Sequence, residues 1–122
     1  MLLIDLSTQK ELWLALFTDE CEHGVPPRTE VSAENYSRVR IAVQDNLVHT
    51  RHYNRLNMLN RAELRFPEAG GQWGRIHSFG MFTASAGGRL VWWGKNYLPR
   101  PVDRGTVIAL RAGDIFIPNV IG

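Results

Sequence analysis

The feature that most constrains the fold is the stretch from His77 to Lys95, HSFGMFTASAGGRLVWWGK. Two runs of alternating polarity flank a Gly-Gly pair, and glycine readily adopts the positive φ angles that a tight hairpin turn needs. Residues 75–83 and 89–95 are therefore predicted to be paired antiparallel strands. The stretch carries two adjacent tryptophans and almost no group suited to catalysis, which favours packing and contact over an active site.

Other segments also indicate strands. Residues 11–18, ELWLALFT, alternate between two largely apolar faces and predict a strand covered on both sides, with a short helix starting near Ser7 as the alternative. Residues 37–44, SRVRIAVQ, predict a half-exposed strand. Residues 19–36 predict a loop, and the asparagine-rich residues 45–60 predict an extended excursion. Further short strands are expected at 63–66, 106–110 and 114–122.

Six or seven short strands with turns between them, and no convincing long helix, predict an all-β fold. The chain has 122 residues, which is room for one domain with a real core. Its hydrophobic content of 44% is ordinary for a globular protein and argues against disorder. We expect a single-domain antiparallel β-sandwich or jelly-roll-like barrel over residues 1–122, with long N-terminal loops.

The sequence also indicates the cellular compartment in which the protein is made. No apolar run approaches the roughly 18 residues that span a bilayer, and Asp5, Lys10 and Glu11 lie where a signal peptide would be apolar. A single cysteine, Cys21, excludes an internal disulfide and fits synthesis in a reducing compartment. We expect a protein made inside a cell, with no membrane partner.

Chemical sites are weakly supported. Cys21, His23, His49 and His52 lack the paired spacing of structural zinc ligands, so no metal is expected. Phosphate-binding loops and nucleophile elbows are missing from the sequence, so neither an enzyme nor a cofactor is expected. The basic residues 50–61 could hold a single nucleic-acid strand, but a net charge of only +2 argues against nucleic acid as the partner.

Contact surfaces are a stronger prediction. On strict alternation Trp92 shares the core face of its strand with Leu90, while Trp93 shares the more polar face with Arg89 and Lys95. Tryptophan and arginine dominate interface hot spots, so Trp93, Arg89 and Lys95 are candidate contact residues. The alternative is that a sheet or loop of the same domain covers this face.

Two further sets are candidates for contact. Aromatic side chains with neighbouring amides could stack on a sugar ring, as a glycan-binding module would require: Trp73, Trp93, Tyr97 and Asn96. The basic excursion could dock on a neighbouring subunit through these residues: Arg51, Tyr53 and Arg55.

Several short motifs follow one another in a characteristic order along residues 11–117. They are an LxxALFT strand, Glu30-Val31-Ser32, Tyr36-Ser37-Arg38, Phe66-Pro67-x-Ala69, Trp73-Gly74-x-Ile76-x-x-Phe79-Gly80-x-Phe82, Gly87-Gly88-x-Leu90-x-x-Trp93-Gly94, and Gly113-Asp114. In this order the chain resembles small virion proteins of tailed bacteriophages that are often labelled tail fibre proteins.

The resemblance implies a non-enzymatic structural component of the virion, tail-fibre-like or tail-associated, assembled in the host cytoplasm. Its partners would be other virion proteins and further copies of itself, with a trimer as the expected homo-oligomer. Two alternatives remain open, a decoration or cement protein on the capsid and a module that binds host surface glycan.

Overall fold

The computed structural model describes residues 9–52 and 55–117. In this part of the chain eleven strands and one short helix follow one another. They are β1 (Glu11–Phe17), β2 (Val39–Ala42), α1 (Val43–Asn46), β3 (Leu47–His52), β4 (Arg55–Asn60), β5 (Leu64–Arg65), β6 (Gly74–Arg75), β7 (Ser78–Phe82), β8 (Leu90–Lys95), β9 (Pro101–Val102), β10 (Ala109–Leu110) and β11 (Phe116–Ile117).

The strands form antiparallel sheets. The largest has four strands in the order β2-β1-β7-β8, and a second has the order β11-β4-β3. Two small strand pairs, β10-β5 and β6-β9, are also present. The predicted all-β, antiparallel, sandwich-like fold is confirmed. That residues 1–122 form one domain stays a prediction.

The core lies on one face of the four-stranded sheet. Leu12, Leu14 and Leu16 of β1 are fully buried and belong to the same hydrophobic cluster as Met58 of β4 and Ile117 of β11. Ala15 and Phe17, on the other face of β1, are also buried. The prediction that this strand is covered on both sides is therefore confirmed, because β1 lies inside its sheet with a layer on each face.

Residues 45–60 were expected to form an extended excursion, and in the structure they contain the end of α1 and the antiparallel β3-β4 pair. Asparagines are depleted in strands, yet Asn60 is 1% exposed at the end of β4. Its amide donates to the carbonyls of Ala62 and Arg111 and its oxygen accepts from the backbone of Ile115. These distant partners satisfy a buried polar group that would otherwise disfavour the strand.

The hairpin of β7 and β8 forms as predicted, with Gly87 at φ 63° and Gly88 at φ 75°. Its pairing shifts register between Met81 and Phe82, so that Met81 opposes Trp92 while Phe82 opposes Leu90. This bulge places Val91 in the core cluster beside Trp92. Strict alternation along β8 was therefore wrong at Leu90, which shares the face of Phe82 instead.

The loop between β1 and β2 covers the second face of the large sheet. It starts along β1, since Thr18 donates to the carbonyl of Thr29 and Val31 donates to that of Leu16. The carboxylate of Asp19 accepts from the backbone N–H groups of Arg28 and Thr29, which closes the loop on itself. The segment around Cys21 and Glu22 then lies over the end of β8.

Candidate functional site

The loop over β8 buries Trp93, which is 4% exposed and donates its indole N–H to the carbonyl of Glu22 at 2.8 Å. The expected surface position of this ring is not observed, because the loop covers the face on which it lies. Arg89 and Lys95 are exposed, but they lie at opposite ends of β8, about 20 Å apart along an extended strand. These three residues do not form one exposed patch.

The other predicted residues are separated in the structure. Trp73 is 3% exposed, donates to the carbonyl of Glu34 and packs edge-on against Tyr36. Tyr53 lies outside the described residues, as do the side chains of Arg51 and Arg55. Tyr97 is exposed. That any of these residues contacts a partner stays a prediction.

The turn that follows β8 carries the most exposed large apolar side chains among the described residues. Tyr97 is 85% exposed and Leu98 is 75% exposed. Asn96 fixes the turn: its amide donates to the carbonyl of Ile76, its oxygen accepts from the N–H of Leu98, and its backbone N–H donates to the carbonyl of His77. The two apolar residues therefore project from an anchored backbone.

Two cavities flank Tyr97, and we call them together the Tyr97 cleft. The first has a volume of about 300 Å³ and is lined by Cys21, Glu22, His23, Trp93, Gly94, Lys95 and Tyr97. The second has a volume of about 290 Å³ and is lined by Glu20, His77, Lys95, Asn96, Tyr97 and Pro99. Lys95 and Tyr97 line both cavities, so the two cavities lie side by side.

Each cavity of the cleft contains a carboxylate next to a lysine or histidine side chain. Lys95 Nζ donates to Glu22 Oε1 at 3.1 Å, and this hydrogen bond raises the pKa of Lys95. On the other side of Tyr97, His77 Nδ1 lies 4.0 Å from Glu20 Oε1. The cleft therefore combines an exposed aromatic ring with hydrogen-bonding groups on both sides.

A different surface lies beyond Leu98, and we call it the Leu98 groove. It has a volume of about 390 Å³. Most of its lining is apolar and comes from the neighbourhood of β7, β9 and β10: Ile76, Phe79, Leu98, Pro101, Val102, Val107, Ile108, Ala109 and Leu110, with the polar residues Asn96, Arg100, Thr106 and Asp114. Asn96 is shared with the Tyr97 cleft, so the two surfaces adjoin at the anchored turn.

A buried polar group of residues, the Arg38 cluster, consists of Glu30, Tyr36 and Arg38. The Arg38 side chain is 7% exposed and bonds both Glu30 oxygens at 2.8 Å through Nε and Nη2. Its Nη1 donates to the carbonyls of Ala84 and Gly87, and its guanidinium lies 3.7 Å from the centre of the Phe82 ring.

The Arg38 cluster is structural, since it ties the loop before β2 to the turn of the β7-β8 hairpin. Tyr36 donates to Glu30 at 2.6 Å and accepts from the N–H of Leu16. Burial, together with the bond to Glu30, raises the pKa of Tyr36. Sequence reasoning missed this function although the signal was present, because all three residues belong to the motifs in fixed order.

The described residues offer no group of three His, Cys, Asp or Glu side chains that could hold a metal ion. In residues 9–52 and 55–117 there is also no helix of sufficient length and hydropathy to cross a membrane.

Comparison with known proteins supports the resemblance that the order of the motifs suggested. A search of curated proteins returns no match. A family model described as Podophage GP4 fiber I protein gp80 matches residues 5–117, which includes every motif on which the resemblance rests. The predicted likeness to phage tail fibre proteins is confirmed, and the chain belongs to the Podophage GP4 fiber I protein gp80 family.

Proposed function

We propose that this chain is a structural subunit of a podophage tail fibre, located in the virion and acting through contacts with other virion proteins. The observation that carries the proposal is the family match over residues 5–117. The proposed role is non-enzymatic and needs no cofactor, and the subunit is assembled in the host cytoplasm.

The Leu98 groove is the surface that we assign to protein contact. Leu98 is 75% exposed at the rim of the groove, and Val107, also in its lining, is 38% exposed. Covering a leucine side chain of this exposure contributes about 1.5–3 kcal/mol to association. Exposed apolar surface beside an apolar groove is typical of a site of protein contact.

Among the residues predicted from the sequence, Arg89, Lys95 and Tyr97 remain proposed contacts because they are exposed. The buried Trp93 would act indirectly, by supporting the cleft from beneath. Arg51, Tyr53 and Arg55 remain proposed contacts on the strength of the sequence alone.

The proposal includes a closed homo-oligomer of three copies, since closed rings are the common form of homo-oligomers. Light scattering across a dilution series gives the mass of the purified protein. A stable trimer that Leu98→Asp converts to monomer would support the Leu98 groove as the subunit contact. Val25→Asp is the matched control, because Val25 is 51% exposed but lines neither the cleft nor the groove.

A trimer that resists Leu98→Asp would remove the groove from the subunit contact. Labelling virions with antibody against this chain and imaging them by electron microscopy then tests its location. Label on the tail supports the fibre role, whereas label distributed over the capsid would support the alternative of a decoration or cement protein.

A further inference from the structure

The Tyr97 cleft has features that a structural contact does not require. Tyr97 projects between two cavities of similar volume, about 300 and 290 Å³, which lie at or just below the lower limit of the range of about 300–1,000 Å³ typical of small-ligand sites. Its ring is 85% exposed, so a flat ligand has access to it. The hydrogen bonds of Asn96 hold the backbone beneath Tyr97, so little ordering of the backbone is needed when a ligand binds.

The polar groups of the cleft suit a ligand that both donates and accepts hydrogen bonds. Glu20 lines one cavity and Glu22 the other, and both carboxylates are mostly exposed. A carboxylate accepts from hydroxyl groups, while the Lys95 ammonium between the cavities donates to hydroxyl oxygens. A polyhydroxylated ring that stacks on tyrosine through its C–H face presents such hydroxyls around its edge.

Charge narrows the ligand class. The ionisable side chains that line the cleft are two carboxylates, Glu20 and Glu22, one ammonium, Lys95, and the imidazoles of His23 and His77, so with neutral imidazoles the carboxylates outnumber the cation. This balance disfavours phosphate and carboxylate groups on the ligand, because they would face like charge. Nucleic acids and uronic-acid polysaccharides are therefore poor fits, whereas an uncharged sugar carries no such penalty.

We propose that the Tyr97 cleft binds uncharged pyranose oligosaccharide, with one ring stacked on Tyr97 and the rings on either side hydrogen-bonded to Glu20 and Glu22. Two cavities around one aromatic ring fit a short stretch of chain rather than a monosaccharide. Several copies in one fibre would raise the avidity of a site that is weak in a single subunit. The proposal adds a ligand to the structural role and does not depend on it.

The test uses the purified full chain and an array of neutral, amino and uronic-acid-containing oligosaccharides, followed by saturation-transfer NMR with the best neutral binder. We expect binding to neutral pyranose oligosaccharides, with Tyr97→Ala weakening it about tenfold or more. Tyr97→Phe keeps the ring and should retain most of the affinity. The double variant Glu20→Gln, Glu22→Gln should weaken binding several-fold without changing the thermal midpoint.

Leu98→Ala is the matched control, because Leu98 is the exposed neighbour of Tyr97 but lines the groove instead of the cleft. Equal loss of binding in Leu98→Ala and Tyr97→Ala would overturn the proposal, as would binding confined to acidic sugars or no binding on the array at millimolar concentration. Because the assay needs no virion, its failure leaves the fibre proposal intact. Conversely, label found on the capsid would leave a positive sugar result intact.

Discussion

The Arg38 cluster gives the sharpest prediction about stability. Arg38→Met keeps most of the aliphatic length of the side chain but removes two bonds to Glu30 and two to the carbonyls of Ala84 and Gly87. Glu30 is then left as a largely buried carboxylate, 23% exposed, whose charge has lost its cation. Breaking a buried pair in this way costs about 3–5 kcal/mol, and the cation–π contact with Phe82 is lost as well. We expect the free energy of unfolding to fall by about 3–5 kcal/mol.

The neighbouring strand position supplies a matched control. Arg40 also pairs with a glutamate, Glu11, at 2.7 Å, but its side chain is 57% exposed. Arg40→Met should cost no more than about 1 kcal/mol, because an exposed pair is solvated and screened by salt. Urea unfolding followed by tryptophan fluorescence measures both changes. A loss below about 1 kcal/mol for Arg38→Met, or equal losses for the two variants, would refute the assignment of Arg38 as the tie between loop and hairpin.

Two further predictions concern Tyr36 of the Arg38 cluster and Gly80 of β7. Burial raises the pKa of Tyr36 above its ordinary 10.0, so Tyr36 ionises at a lower pH in the unfolded chain than in the folded one. The resulting stabilisation is fully present below pH 10.0 and is lost progressively as the pH rises above that value. Urea midpoints at about pH 8 and about pH 11 should show a smaller alkaline loss in Tyr36→Phe, and an unchanged loss would contradict the shift. Gly80→Ala should cost about 1–3 kcal/mol, because a Cβ there would lie 2.7 Å from Leu90 and 2.8 Å from Phe17. Gly71→Ala is its control, with no contact nearer than 4.0 Å beyond its chain neighbours, and thermal midpoints that fall equally in both variants would contradict overpacking.

Local patterns predicted the elements that local chemistry determines. Alternation in β1 and the Gly87-Gly88 turn of the β7-β8 hairpin were identified because the residues that decide them are neighbours in sequence. The β3-β4 pair was missed because Asn60 is acceptable in a strand only through partners such as Arg111, far along the chain. No period in residues 45–60 carries that information.

In the candidate site, too, the features determined by neighbouring residues were predicted and those determined by distant residues were not. Tyr97 and Asn96 were proposed together for sugar stacking, and they do lie together because they are adjacent in the chain. Trp93 lines the same cleft, but its burial depends on the loop that carries Glu22, which the strand pattern could not reveal. Trp73 was grouped with them by residue type alone, and it packs against Tyr36 elsewhere in the fold.

The Arg38 cluster also bears on how fast the chain unfolds. Arg38 reaches the carbonyls of Ala84 and Gly87, which are 46 and 49 positions away in sequence. We expect bonds across such a separation to form after the hairpin and the loop before β2, because closing a long loop costs entropy before the contact is gained. Interactions absent from the transition state slow unfolding without speeding folding. A subunit held closed by a late-forming tie would stay folded for long periods after its synthesis has ended, when no chaperone is present to refold it.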